Sequence, residues 1–225
     1  MQDMATKINN LAEAYMAQGR YDEAEPLYIQ VLAILRQALP QGHPGIASSL
    51  SNLAALYSYQ GRSAEAEPLF KEALAIDRAS LPQGHPDIAT DIDNLASVYF
   101  GQGRNKEAAA LYIESLAIFR QSLPKGHPVI GVALSNLGAA YGAMGLNANA
   151  EPLFKEALGI IRTALPAGHR DIAYSLNNLA KIYRDQGRNK EAKPLLVEAL
   201  AIFTATLGRD APITKSIAED LVLLR

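Results

Sequence analysis

The stretch SNLAALYSYQGRSAEAEPLFKEALAIDRASLPQGHP, residues 51–86, decides the fold. Leu50 just ahead of it, then Leu53, Ala54 and Tyr57, recur at steps of three and four, the apolar stripe of an amphipathic helix. Gly61 is placed to end that helix, because glycine enters the left-handed cap conformation without a steric cost. A second helix follows, with Ala66, Leu69, Phe70, Ala73 and Leu74 on one face. Pro68 is expected near its first turn, where a missing N–H costs little. Leu81-Pro82-Gln83-Gly84-His85-Pro86 reads as a turn, and Pro86 suits the first position of a further helix. Ala54 and Ala66 are expected where the two helices cross; a larger side chain there would overpack the crossing at ~1–3 kcal/mol.

The same pattern extends in both directions at a step of 42 residues. Asparagine falls at Asn10, Asn52, Asn94, Asn136 and Asn178, tyrosine at Tyr15, Tyr57, Tyr99, Tyr141 and Tyr183, and glycine at Gly19, Gly61, Gly103, Gly145 and Gly187. Columns of leucine and alanine keep the same register. A fixed period of this length means stacked repeats, each burying its apolar face on its neighbours. The expected organisation is a single array with repeats at 3–44, 45–86, 87–128, 129–170 and 171–212, and a terminal helix at 213–225. No strand pattern is present, so the fold class is all-α: a solenoid of helix pairs, eleven helices in all. The terminal segment has no second helix, and the first repeat begins almost inside its first helix. The terminal segment either caps the array or is cut from a longer one, and the uncapped start favours a piece of a longer array, with apolar end faces through which copies could self-associate.

Composition narrows the function classes. The 225 residues carry 21 basic and 23 acidic side chains, formal charge −2, with no run of like charge. Nucleic acid and anionic membranes call for a dense basic face, so neither is an expected partner. Cysteine is absent, which excludes disulfides, thiolate nucleophiles and cysteine-ligated metal. No stretch approaches the roughly 20 apolar residues that cross a bilayer, and the first residues do not resemble a secretory signal. The expected location is cytoplasmic.

Ala54, Tyr57, Gly61, Ala66, Phe70 and Ala73 match the tetratricopeptide consensus at its usual offsets, with eight residues added to the ordinary 34. Asn178 to Tyr183, Gln186 to Arg188, Glu67 to Phe70 and the Gly-His-Pro turns resemble the cargo-binding domain of kinesin light chains and their prokaryotic relatives. The resemblance implies a right-handed superhelical solenoid whose concave groove, lined by the first helix of each repeat, binds peptide segments of partner proteins. It also implies a motor-accessory role. The family's acidic, tryptophan-containing cargo meets a more basic groove than this sequence offers.

The polar side of each first helix is the expected binding face. An asparagine amide offers both a donor and an acceptor, which suits bonding to an extended peptide backbone. Asn10, Asn52, Asn94, Asn136 and Asn178 are the candidates for that grip. The alternative is that they bond to neighbouring helices and stiffen the stack. Ser51, Asp93, Phe100 and Asn177 occupy variable positions beside them, and Tyr174, Lys181 and Arg184 could receive an acidic or aromatic segment; Lys181 and Arg184 could equally be solvated surface charge.

Catalysis and metal binding are not expected. There is no phosphate-cradling glycine loop, no H-E-x-x-H and no G-x-S-x-G. Glu23, Glu65, Glu107 and Glu191 recur at the start of second helices, where negative charge suits the helix dipole. His43, His85, His127 and His169 sit one repeat apart without adjacent carboxylate clusters, so each is expected to bond to a helix N-terminus instead of converging on a metal. No cofactor is implied. The fourth repeat gathers Gly131, Gly138, Gly142, Gly145 and Gly159, and at ~0.5–1 kcal/mol per helical glycine it is expected to be softer.

Overall fold

The computed structural model describes residues 2–224. Among them are eleven α-helices and no strand. The helices divide between two compact units, residues 1–122 and 123–225. The first unit holds α1 (Gln2–Ala17), α2 (Tyr21–Ala38), α3 (Pro44–Tyr59), α4 (Ser63–Ser80), α5 (Pro86–Gly101) and α6 (Asn105–Ser122). The second holds α7 (Pro128–Ala143), α8 (Asn147–Ala164), α9 (Arg170–Asp185), α10 (Asn189–Leu207) and α11 (Pro212–Leu223). Odd-numbered helices are the first of each repeat and even-numbered helices the second. The terminal helix starts one residue earlier than expected, and Arg225 lies outside the described residues.

Each pair folds for the reasons its sequence gives. In the second repeat Gly61 has φ +74°, and its N–H bonds to the Ser58 carbonyl at 3.0 Å while Arg62 N–H bonds to Tyr57 at 2.8 Å. Those bonds satisfy carbonyls that the end of α3 leaves open. Ala54 and Ala66 are completely buried, with Phe70 and Leu50 packed in the same core. In the second unit Phe154, Leu176, Leu179, Leu196, Phe203 and Ile217 form one cluster.

Pro68 differs from expectation. It is the sixth residue of α4, inside the helix, and Pro26, Pro152 and Pro194 take the same place in α2, α8 and α10. The first-turn exemption therefore does not apply. Pro68 removes a bond that the Ala64 carbonyl would accept, and it does so beside an exposed residue, where solvent is at hand to replace the missing donor.

The histidines do what the turn chemistry suggests. Nδ1 of His43, His85, His127 and His169 accepts a backbone N–H at the start of α3, α5, α7 and α9, at 3.0, 3.2, 3.3 and 3.3 Å. Each imidazole caps the helix that carries the next first-helix face.

Candidate peptide-binding face

The asparagine column lands at the boundary between buried and exposed surface. Asn52, Asn94 and Asn178 are half-buried, whereas Asn10 is exposed on α1. Asn52 Nδ2 donates to Asn9 Oδ1 at 3.1 Å, and Asn9 Nδ2 donates to Glu13 Oε1 at 2.7 Å. Part of the amide's capacity therefore links α3 to α1, as in the stiffening alternative. One donor hydrogen and the acceptor oxygen of Asn52 remain. Asn136, on α7 in the second unit, is half-buried as well.

Beside this column, Ser51 donates its hydroxyl to Asp91 Oδ1 at 2.7 Å, joining α3 to α5. Asp93 Oδ1 accepts from Ser115 of α6 at 3.3 Å, and Ser97 shares a 2.9 Å hydrogen bond with the Tyr112 hydroxyl. Burial pushes the Tyr112 phenol up to about 12. Phe100 is half-buried on α5. A cavity of about 160 Å³ opens between α1, α2 and α3, lined by Thr6, Asn9, Val31, Leu35, Ser48 and Asn52 among others. Larger cavities, about 820 and 590 Å³, lie between second helices, around Arg78 and Glu114 and around Arg36 and Glu72. Size alone would favour those, but none of the asparagines lines them.

In the second unit the basic candidates separate. Lys181 is exposed, while Arg184 is ion-paired with Asp220 of α11. A ligand carboxylate reaching Arg184 would compete with that pair. Tyr174 is exposed and meets the ring of Phe203 edge-on, centroids 4.8 Å apart. Asn177 is half-buried beside Asn178.

Two features escaped the sequence reading. The first is an arginine clamp. Arg104 stacks over Tyr99 at 3.7 Å, bonds Glu107 of its own repeat, and reaches Glu67 of the preceding repeat at 3.3 Å. Arg62 joins Glu65 and Glu25 in the same way, and Arg188 joins Glu191 and Glu151. Lys71, Gln102 and Arg104 together hold the Glu67 carboxyl down at about 2, and Lys155 heads the same effect on Glu151. The repeated step of 37 residues between glutamate and arginine was the available signal. In the fourth repeat Leu146 replaces the arginine.

The second is a pair of buried aspartates. Asp77 of α4 and Asp91 of α5 are 5 % and 4 % exposed, and Asp77 Oδ1 and Asp91 Oδ2 have no hydrogen-bond partner among the described residues. Burial pushes Asp91 up to about 7 despite the Ser51 hydrogen bond, and burial raises Asp77 too. At the position of Asp77 the other repeats carry Leu35, Phe119, Ile161 and Phe203. A vertical reading of that column exposes the anomaly.

No described helix is long and apolar enough to cross a membrane. Comparison with family models matches the description "Tetratricopeptide repeat" over residues 3–79, 87–163 and 172–212. Among solved structures, a kinesin light chain-like protein from Podosopora anserina with nearly identical TPR-like repeats is 30 % identical, with a TM-score of 0.75, covering 92 % of this chain and 98 % of that one. BtubC (BKLC) from P. vanneervenii is 26 % identical, with a TM-score of 0.78 over 92 % of this chain and 82 % of that one. Cut9 in its APC/C hetero-tetramer with Hcn1 shares the fold at 16 % identity and a TM-score of 0.74, over 97 % of this chain and 36 % of the other. A search of curated proteins finds no match. The repeat fold is that of protein-interaction scaffolds. The 42-residue columns, the helix pairs and these relatives agree: the chain belongs to the tetratricopeptide repeat family, in its kinesin light chain-like branch.

Proposed function

We propose that this chain holds extended peptide segments of partner proteins on the face built by its first helices. The observation that carries the reading is the half-buried asparagine column. Asn52 keeps a donor and an acceptor beyond its bond to Asn9, and Asn94 and Asn178 make no side-chain hydrogen bond to other described residues. An amide held rigidly at a surface edge can bond a peptide backbone whatever the peptide's sequence. The test uses peptides of about 12 residues, enough to span several repeats in an extended form, recovered from a random displayed library on the whole chain. Asn52→Ala with Asn94→Ala should weaken them about tenfold or more, with the melting temperature lowered only by the lost Asn52–Asn9 bond. Unchanged affinity would remove the asparagines from the site.

Self-association is the second reading. Val197, Val222 and Leu223 are exposed, and a cavity of about 590 Å³ between α10 and α11 is lined by Val197, Leu200, Ala201 and Ala218. Exposed apolar surface of this kind marks interaction sites. Sedimentation across a hundredfold concentration range separates the readings, since a constant monomer mass disfavours assembly.

A further inference from the structure

The first helices of the first unit are acidic. α1, α3 and α5 contain Asp3, Glu13, Asp87, Asp91 and Asp93 against one base, Lys7. Lys7 is paired with Asp3 at 3.4 Å. α3 and α5 contain no lysine or arginine at all. The arginines of the unit's second helices and clamps are held elsewhere: Arg36 by Glu72, Arg78 by Glu114, Arg62 by Glu25, Arg104 by Glu67. The first helices of this unit therefore carry net negative charge, while Arg36, Arg62, Arg78 and Arg104 are paired with glutamates of second helices.

A second observation concentrates that charge between the second and third repeats. Asp91 Oδ2 and Asp77 Oδ1 are buried and have no hydrogen-bond partner among the described residues, on two helices that pack together. Asp87 is exposed one turn before Asp91 on the same face of α5. A buried carboxylate oxygen without a donor is costly, and a donor cation removes that cost.

We propose that this face takes an extended partner segment carrying a lysine or arginine, whose cation is received by Asp87, Asp91 and Asp77. This rests on the asparagine reading above and gives that site its ligand chemistry. A lysine fits the chemistry in kind: a slim apolar stem to pass between packed side chains to the buried Asp77 and Asp91, and three donors for three carboxylates. The occupied site also differs from the free one in protonation. Free, Asp91 is held near neutral pH by burial, acting with the like charges of Asp77 on α4 and Asp87 on its own helix. α3 presents only the Ser51 hydroxyl, no charged group of α6 acts on it, and His85 of the turn acts on Asp77. A cation seated there favours the carboxylate, so binding releases a proton and tightens as pH rises from about 6 to about 8.

The test selects a random displayed library of the same length on the whole chain at about pH 7.5, where the carboxylate of Asp91 is accessible. Lysine or arginine should be enriched at one position, with aspartate and glutamate depleted. In the recovered peptide, replacing that residue with glutamine should weaken binding about tenfold. Asp91→Asn should weaken the lysine peptide, spare the glutamine peptide and flatten the pH dependence. The amide introduced by that substitution keeps an acceptor for the Ser51 hydroxyl, and Asp87→Asn at an exposed position gives a second variant that leaves the core untouched. Peptides without basic preference, or affinity in both variants equal to that of the parent, would overturn the inference. If such peptides still depend on Asn52 and Asn94, the asparagine reading survives alone; if none is recovered, both fall.

Discussion

The buried Asp91 makes a strong demand on stability. In the unfolded chain its carboxyl ionises near the ordinary 3.8, and in the folded chain near 7. The folded state binds this proton more tightly, so stability falls as pH rises from about 4 to about 7 and is flat above that. At ~1.4 kcal/mol per tenfold change in proton affinity, the full excursion is up to about 4 kcal/mol. Asp91→Asn removes the ionisation and keeps the Ser51 hydrogen bond. The variant should gain stability at about pH 8, by up to about 4 kcal/mol, and gain little at about pH 4.5. Urea unfolding of the whole chain at both pH values, followed by circular dichroism, measures the difference, which should appear in the transition of the first unit. A variant less stable than the parent at the higher pH, or a gain equal at the two pH values, would refute the burial argument. Restoring the column with Asp77→Leu should act in the same direction.

On the acid side the sign reverses: Glu67 and Glu151 are held near 2, so their stabilising pairs are complete above about 4.5 and are lost as pH falls towards 2. Arg104→Ala should therefore lower the melting temperature at about pH 7 and blunt the acid loss, and a variant identical to the parent at both pH values would dismiss the clamp. His127→Ala should cost about 1 kcal/mol by removing a helix cap, while a chelator leaves folding unchanged; chelator-induced unfolding would restore a metal role. Gly138→Ala would bring a Cβ to 3.0 Å from the Phe154 ring and should destabilise by ~1–3 kcal/mol, whereas Gly159→Ala meets nothing within 4 Å and should stabilise by ~0.5–1 kcal/mol. Hydrogen exchange in the fourth repeat no faster than in the second would contradict the softness expected from its glycines.

The fold was legible because each helix pair is specified locally and then repeated. Apolar spacing gave the helices, Gly61 and its counterparts gave their ends, and the histidine turns gave the next starts. Pro68 lies deeper than expected because its position depends on where the second helix begins, and helix starts are soft in sequence. Gly138 reads as a weakness in sequence and as clearance for Phe154 in three dimensions. The site was legible only in part. Asn52 and Ser51 stand out in their polar column, but the Asn9 and Asp91 partners lie 43 and 40 residues away, on helices whose approach no local pattern encodes. Asp77 and Asp91 look like ordinary surface charge until their columns, Phe119 and Phe203 for the first and Ser49, Ala133 and Ser175 for the second, are read across repeats.

The arginine clamp has a genetic consequence. Each arginine bonds one glutamate in its own repeat and one in the repeat before, as Arg62 does with Glu65 and Glu25 and Arg104 with Glu107 and Glu67. The bonds never skip a neighbour. Excising residues 45–86 in frame would bring Arg104 opposite Glu25, where Arg62 had stood, and the seam would close with the same chemistry. An insertion of one whole period would heal likewise. The gene can therefore lengthen or shorten by unequal crossing-over in 42-residue steps, each new junction fastened wherever it joins an arginine of this column to a glutamate of the other and left open where it falls on Leu146 or Ala109.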